Sequence, residues 1–167
     1  MLARTRVRGT GERMSKILWP LVSNVIRRNK LSNTFGRFPE RASGVHWGWD
    51  FYAKAGTPCY AIADGTIDLI YGHISDTGSF GQVIVLKFAH GSRVLFAAYC
   101  HLSGAVVPVG TTVQAGDQIG FTGNSGNATN MRGLDEHLHF EIRTSSRPPP
   151  GGEPSRISPL KVFERRF

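Results

Sequence analysis

From about Thr34 onwards the chain is a series of short apolar runs, each closed by a glycine-rich turn, and these runs have strand length. Gln82–Phe88 and Arg93–His101 flank Ala89-His90-Gly91-Ser92, which reads as a hairpin. Tyr60–Ala63 and Thr66–Tyr71 flank Asp64-Gly65, a dipeptide that favours a two-residue hairpin turn. Val113, Gln118–Thr122 and Leu138–Thr144 complete the set. Many short strands with regular turn signals predict an all-β fold with an antiparallel sheet core. The chain has 167 residues, the length of one domain, and can bury roughly two-thirds of its unfolded surface.

Two flanking segments have a different texture. Residues 1–15 are polar. Leu21, Val22, Val25 and Ile26 then recur at helical spacing, with Pro20 in the first turn and Arg27, Arg28 and Lys30 at the negative end of the dipole. A short N-terminal helix docked by its apolar face is expected. From Ser145 the run Pro148-Pro149-Pro150-Gly151-Gly152 reads as an extended segment leaving the fold, its end anchored by Leu160, Val162 and Phe163. The expected division is a basic segment with a short helix at 1–32, the β domain at 33–144, and a Pro/Gly-rich basic tail at 145–167. Within the domain, Gly72–Gly81 and Gly123–Glu136 are long loops, the kind that often carries function.

The formal net charge is +8, unevenly placed. Residues 1–40 hold 9 basic and 2 acidic side chains, residues 41–143 hold 6 and 8, and residues 144–167 hold 5 and 2. Basic residues scattered through tails, with no recognition motif beside them, do not predict a nucleic-acid partner. Basic ends do attract anionic polymers at long range. No apolar run approaches the roughly 20 residues of a membrane span. Ile17–Val22, interrupted by Pro20, is too short for a signal-peptide core. Two cysteines cannot build a disulfide framework. Cys59 and Cys100 read as small buried hydrophobes that pair only if close and oxidised.

Four of the six histidines fall in three clusters. In His46-Trp47-Gly48-Trp49-Asp50, a straight strand would set His46 and Asp50 roughly 13 Å apart, too far for one ion. The chain must bend between them, and Gly48 is the residue that permits it. In Glu136-His137-Leu138-His139-Phe140-Glu141 the strand period points His137 and His139 to one face, about 6.6 Å apart at the backbone. Glu141 shares that face and can hold a ring N–H. The third cluster, Ala98-Tyr99-Cys100-His101-Leu102, ends a strand. His and Asp are good ligands for zinc. His90 belongs to a hairpin turn and His73 to the Gly72–Gly81 loop, while Tyr52, Tyr99, Trp47 and Trp49 read as core or groove wall.

These clusters, in this order, resemble the lysostaphin-type zinc metallopeptidases (metallopeptidase family twenty-three), which cleave peptide cross-links of peptidoglycan. The resemblance runs from about Asn33 to Arg143. It rests on Asn33-Thr34-Phe35-Gly36-Arg37, His46-Trp47-Gly48-Trp49-Asp50-Phe51, Gly56-Thr57-Pro58 with Ala63-Asp64-Gly65-Thr66-Ile67, and Tyr99-Cys100-His101-Leu102. Gly116-Asp117-Gln118-Ile119-Gly120, Gly123-Asn124-Ser125-Gly126 and His137-Leu138-His139-Phe140-Glu141-Ile142-Arg143 complete it.

By matching position the resemblance implies that His46, Asp50 and His139 ligate zinc, and that His101 and His137 face the reacting water without binding the metal. One would act as general base and the other would steady the oxyanion, in either assignment. It implies an endopeptidase acting on peptidoglycan in the periplasm or cell wall, and D-Ala–diaminopimelate links are the expected bond. Ala128–Glu136 departs from the family as extra length, expected to narrow or cover the groove. With no signal peptide visible, delivery by another route or a longer parent chain is expected. The alternatives are a non-catalytic relative that activates a wall hydrolase, and a basic protein that binds envelope polymers or nucleic acid.

Overall fold

The backbone of the protein is the hairpin expected at residues 82–101, formed by β6 (Gln82–His90) and β7 (Arg93–Ala105). A computed structural model describes residues 16–77, 79–148 and 155–163. The expected features of residues 1–15, and of the Pro/Gly run from Pro149 to Gly152, lie outside the described residues. Gly91 turns the hairpin with φ of 58°, open to glycine at little cost. Alternation along these strands divides the interior. Ile84, Leu86 and Phe88 join Leu95, Ala97 and Tyr99 in the main core. Val83 and Val85 face the other way, with Ala98 and Cys100, in a smaller cluster.

The other strands assemble around this pair. They are β1 (Gly36–Arg37), β2 (Val45–His46), β3 (Trp49–Tyr52), β4 (Pro58–Tyr60) and β5 (Gly65–Tyr71), then β8 (Thr112–Val113), β9 (Gln118–Thr122), β10 (His137–Arg143) and β11 (Arg156–Ile157). The main sheet runs β11-β10-β7-β6-β5-β8, with β3 on β10 and β9 bridging β4 to β7. Strands β1 and β2 form a separate pair. All described pairings are antiparallel, as the alternation of runs and turns predicts.

Three expectations are corrected. The first is the Asp64-Gly65 hairpin, which does not form: β4 pairs with β9, and β5 pairs with β6 and β8. Asp64 Oδ1 instead accepts the Ala115 N–H at 2.8 Å. Gly65 is needed for close strand passage, since a Cβ there would collide with the Lys87 carbonyl. The second is the N-terminal helix. Among the described residues there, 3-10 turns at Arg27–Asn29 and Leu31–Asn33 stand in place of a helix. The preceding backbone bonds to the sheet: Leu18 N–H to the Ile62 carbonyl, Tyr60 N–H to Pro20, and Tyr52 N–H to Val25. Asn24 accepts from the Leu21 N–H and donates to the Leu21 carbonyl, taking groups a helix would use. So short an apolar stripe does not offset the cost of nucleating a helix.

The third concerns the tail, part of which rejoins the sheet. Arg156–Ile157 pairs with β10. Val162 and Phe163 are buried, whereas Leu160 is exposed. Phe163 stacks on Trp19 with ring centroids 4.6 Å apart, and both lie against Trp49. The two ends of the described chain therefore close over the core beneath β3. Cys59 and Cys100 are buried free thiols in separate clusters. Burial pushes the Cys59 thiol up to about 12.

Replacing Trp19 by Ala removes the central ring of this clasp. It is expected to cost about 3 kcal/mol of unfolding free energy, read as a lowered urea midpoint at unchanged slope.

Candidate metal centre

The register between β3 and β10 does most of the assembly. His139 lies directly opposite Asp50 across the antiparallel pair, and His137 lies opposite Tyr52. The chain breaks between β2 and β3, which brings His46 back over Asp50. Gly48 sits in that break, where a Cβ would collide with the Phe140 carbonyl and press on the His139 ring. His46 Nε2, Asp50 Oδ1 and His139 Nδ1 converge. The separations are 3.0 Å (His46–Asp50), 2.8 Å (His139–Asp50) and 3.1 Å (His46–His139). A tetrahedral zinc ion with bonds of roughly 2.0–2.1 Å sets its ligand atoms about 3.3 Å apart. Two imidazoles and a carboxylate at these distances fit one such ion after a small outward movement, and three ligands leave its fourth position open.

His101 reaches the same place by a different device. Ile84 pairs with Tyr99 and Gln82 with Leu102, so Cys100 and His101 together oppose Val83 alone. This is a β-bulge, which re-aims side chains beside functional sites. His101 takes φ of 62°, a left-handed conformation that costs a non-glycine residue about 1–3 kcal/mol. Its N–H donates to the Phe80 carbonyl at 2.9 Å. The His101 and His137 rings stand 5.1 Å apart, and His101 lies 6.0 Å from His139. The structure thus gathers all five sequence-predicted site residues, each of them buried.

Backbone carbonyls orient three of the rings. The Nδ1–H groups of His46, His101 and His137 donate to the carbonyls of Thr34 (2.9 Å), Ser125 (2.9 Å) and Asp135 (2.8 Å). A carbonyl only accepts, so in each ring Nδ1 carries the proton and Nε2 keeps its lone pair. His139 is held oppositely: Nε2 lies 3.0 Å from Glu141 Oε1, leaving Nδ1 for the ligand cluster. Glu141 is itself gripped by the buried Arg143 and Arg156.

The electrostatics follow from burial and these partners. Burial opposes charge on His139, but hydrogen bonds to Asp50 and Glu141 outweigh it and push its pKa up to about 9. Burial, then the neighbouring His139 and His137, hold His101 down to about 3. Burial also lowers His137 and His46. Asp50 stays well below the usual carboxylate range, because hydrogen bonds from His139 and His46 overcome the cost of burial.

Several neighbours carry no sequence signal. Phe80, from the Gly72–Gly81 loop, stacks on His139 at 5.2 Å. Arg27 and Arg41 bind Asp50 Oδ2 at 3.1 and 3.2 Å. Their only trace in the sequence is that they are basic. The Gly123–Glu136 loop supplies the Ser125 and Asp135 carbonyls, while its carboxylates engage other partners: Asp135 pairs with Arg28, and Glu136 Oε1 accepts the Ala55 N–H. His73 is exposed and bonds Ser75. Trp47 packs on Phe35, and Tyr99 is fully buried.

The chain is similar to several known proteins. Peptidoglycan DD-endopeptidase ShyA of Vibrio cholerae is 34% identical over 103 residues, covering 62% of this chain and 21% of that protein. Glycyl-glycine endopeptidase ALE-1 of Staphylococcus capitis is 34% identical over 113 residues, covering 67% of this chain and 28% of that protein. The chain therefore spans less than a third of either relative. The catalytic domain of lysostaphin from Staphylococcus simulans superposes with a TM-score of 0.59 at 30% identity, covering 79% of this chain and 90% of that domain. The profile of Peptidase family M23 matches residues 44–150, well over half of the sequence and the whole span from β2 through β10, and the chain belongs to that family.

Proposed function

We propose that this protein is a zinc-dependent endopeptidase that hydrolyses peptide cross-links of bacterial peptidoglycan in the periplasm or cell wall. The observation that carries this reading is the convergence of His46, Asp50 and His139 on one point, with two further imidazoles beside it whose lone pairs are set by backbone carbonyls. In this reading the first three hold zinc, and His101 and His137 handle protons. A bound zinc ion supplies Lewis acidity to the scissile carbonyl and to the attacking water.

The chain's own groups do the rest. His101 is neutral at working pH and offers Nε2 as an acceptor for the water proton. His137 is prepared in the same way by its bond to Asp135. Once one ring has taken a proton, it becomes the donor that steadies the oxyanion or protonates the leaving amine. Glu141, braced by two arginines, keeps the His139 ring turned so that Nδ1 faces the cluster.

The D-Ala–diaminopimelate link is the proposed bond, supported by similarity to a DD-endopeptidase. A glycine bridge is the competing substrate, because a glycyl-glycine endopeptidase is equally similar at 34% identity. The basic segments, 1–40 and 144–167, are proposed to retain the chain on anionic envelope polymers. A non-catalytic relative has no use for all five site residues, and this chain keeps them.

Incubation with purified sacculi of each cross-link chemistry, with and without a zinc chelator, tests the function. Chelator-sensitive loss of cross-linked dimers from diaminopimelate-type sacculi is expected, and release from glycine-bridged sacculi alone would reassign the bond. His139→Ala should lose zinc and activity together, whereas His101→Ala should keep zinc and lose about 100-fold or more in rate. Zinc retained at full occupancy in His139→Ala would remove it from the ligand set. Zinc affinity should also depend on pH. With a pKa of about 9, His139 carries a proton at neutral pH that the metal must displace. Affinity should then rise about tenfold per pH unit between about pH 6 and pH 8, with about one proton released. Titration calorimetry in buffers of different ionisation heat reads both, and a flat profile would contradict the assignment.

A further inference from the structure

We propose that Arg27, together with Arg41, is a positioning residue that keeps Asp50 a one-oxygen ligand and so holds the metal's fourth position open. This inference rests on the metal centre proposed above and adds a layer to it from a part of the chain outside the family match at 44–150.

The two oxygens of Asp50 face different partners. Oδ1 lies 3.0 and 2.8 Å from the ligand nitrogens of His46 and His139. Oδ2 accepts from Arg27 Nη2 at 3.1 Å and Arg41 Nη2 at 3.2 Å. Neither guanidinium is free to swing away. Asn33 Oδ1 accepts from both, at 2.9 and 3.0 Å, and Asn33 Nδ2 donates to the Arg27 carbonyl at 2.7 Å. Arg41 Nε donates to the Ser32 carbonyl at 2.6 Å. Asn33 is buried, and the Arg27 side chain is 13% exposed.

The same stretch backs two other site residues. The Thr34 carbonyl orients His46. Arg28 grips Asp135 through both carboxylate oxygens, at 2.6 and 2.7 Å, and the Asp135 carbonyl orients His137. Residues 27–34 thus back three of the five site side chains, and Arg27 acts on the one with two ligand atoms to offer.

A carboxylate bound to a metal takes either one or two positions, depending on what else holds its second oxygen. With Oδ2 committed to two guanidinium groups, only Oδ1 is available. Remove one cation and two things follow. The carboxylate becomes a stronger donor, since less positive charge competes for it. Its second oxygen also becomes free to rotate onto the ion and occupy the place that water or substrate needs. Loss of Arg27 should therefore reduce turnover without weakening the metal. Simple loss of structural support would weaken both.

The test uses the full chain with Arg27→Met and Arg27→Lys. Three readings are taken: zinc affinity by competition with a chromogenic chelator, the visible spectrum of the cobalt-substituted protein, and kcat and KM on a soluble cross-linked muropeptide. Arg27→Met should bind zinc no more weakly than the parent and lose about 10- to 100-fold in kcat with KM little changed. Its cobalt bands should weaken, as they do when coordination number rises. Arg27→Lys keeps a cation on Oδ2 and should recover most of the parent spectrum and rate. An unchanged spectrum and kcat in Arg27→Met, or zinc affinity that falls in step with activity, would overturn the proposal. If thermal unfolding shows that Arg27→Met is not folded, Arg41→Met carries the same readings. A parent protein that takes up neither zinc nor cobalt would instead overturn the metal centre itself, and this proposal with it.

Discussion

The structure depends on one buried carboxylate. Asp50 is 2% exposed, in the second position of a strand pressed between the core and β10. An isolated charge at such depth is prohibitively costly, so it must be paired on every side. Three chain segments converge to do this: residues 27–41, the β2 end at His46, and β10. The raised pKa of His139 has the same origin, because a proton on that ring supplies positive charge to Oδ1. A divalent cation does this more completely. The site is thus arranged around a negative charge that needs a cation, with the surrounding sheet holding the geometry.

That sheet is braced by ion pairs behind the site. Behind His139 stands Glu141, gripped by Arg143 and Arg156, with Tyr71 on the far side of Arg143. Every residue of β10 is buried, so its alternation sorts side chains between apolar core and polar centre rather than between core and solvent. Leu138, Phe140 and Ile142 point into the core. His137, His139, Glu141 and Arg143 form a continuous polar row on the opposite face. A single strand therefore carries the imidazoles of His137 and His139, the carboxylate that holds His139 and that carboxylate's counter-ion, all in the order of the sequence.

That row was legible in advance because strand period is local information. So was the β6–β7 hairpin, and so was the bend at Gly48, since an ion cannot span a straight four-residue strand. What the sequence did not reveal is non-local. The left-handed turn at His101 arises from one extra residue on β7 relative to its partner, which is a property of two strands together. Asp64-Gly65 looks like a turn, yet Gly65 is there because the Lys87 backbone passes too close for a Cβ. Leu21, Val22, Val25 and Ile26 have helical spacing, but β3 and the loop after β4 offer hydrogen bonds that an extended chain can take and a helix cannot. In each case a tertiary partner outweighed a correct local signal.

The same lesson governs the charge. Divided along the sequence, residues 41–143 are slightly acidic and the positive charge lies in the two ends. In three dimensions Arg27 comes from the N-terminal segment and Arg156 from the tail to reach the buried Asp50 and Glu141, while the exposed Arg28 holds Asp135 at the edge. Around Asp50, Glu141 and Asp135, guanidinium groups outnumber carboxylates by two before any metal is counted. Such an excess of positive charge raises the local potential. Basic residues from both ends of the sequence therefore hold carboxylates of the candidate centre directly, Asp50 through Arg27 and Glu141 through Arg156.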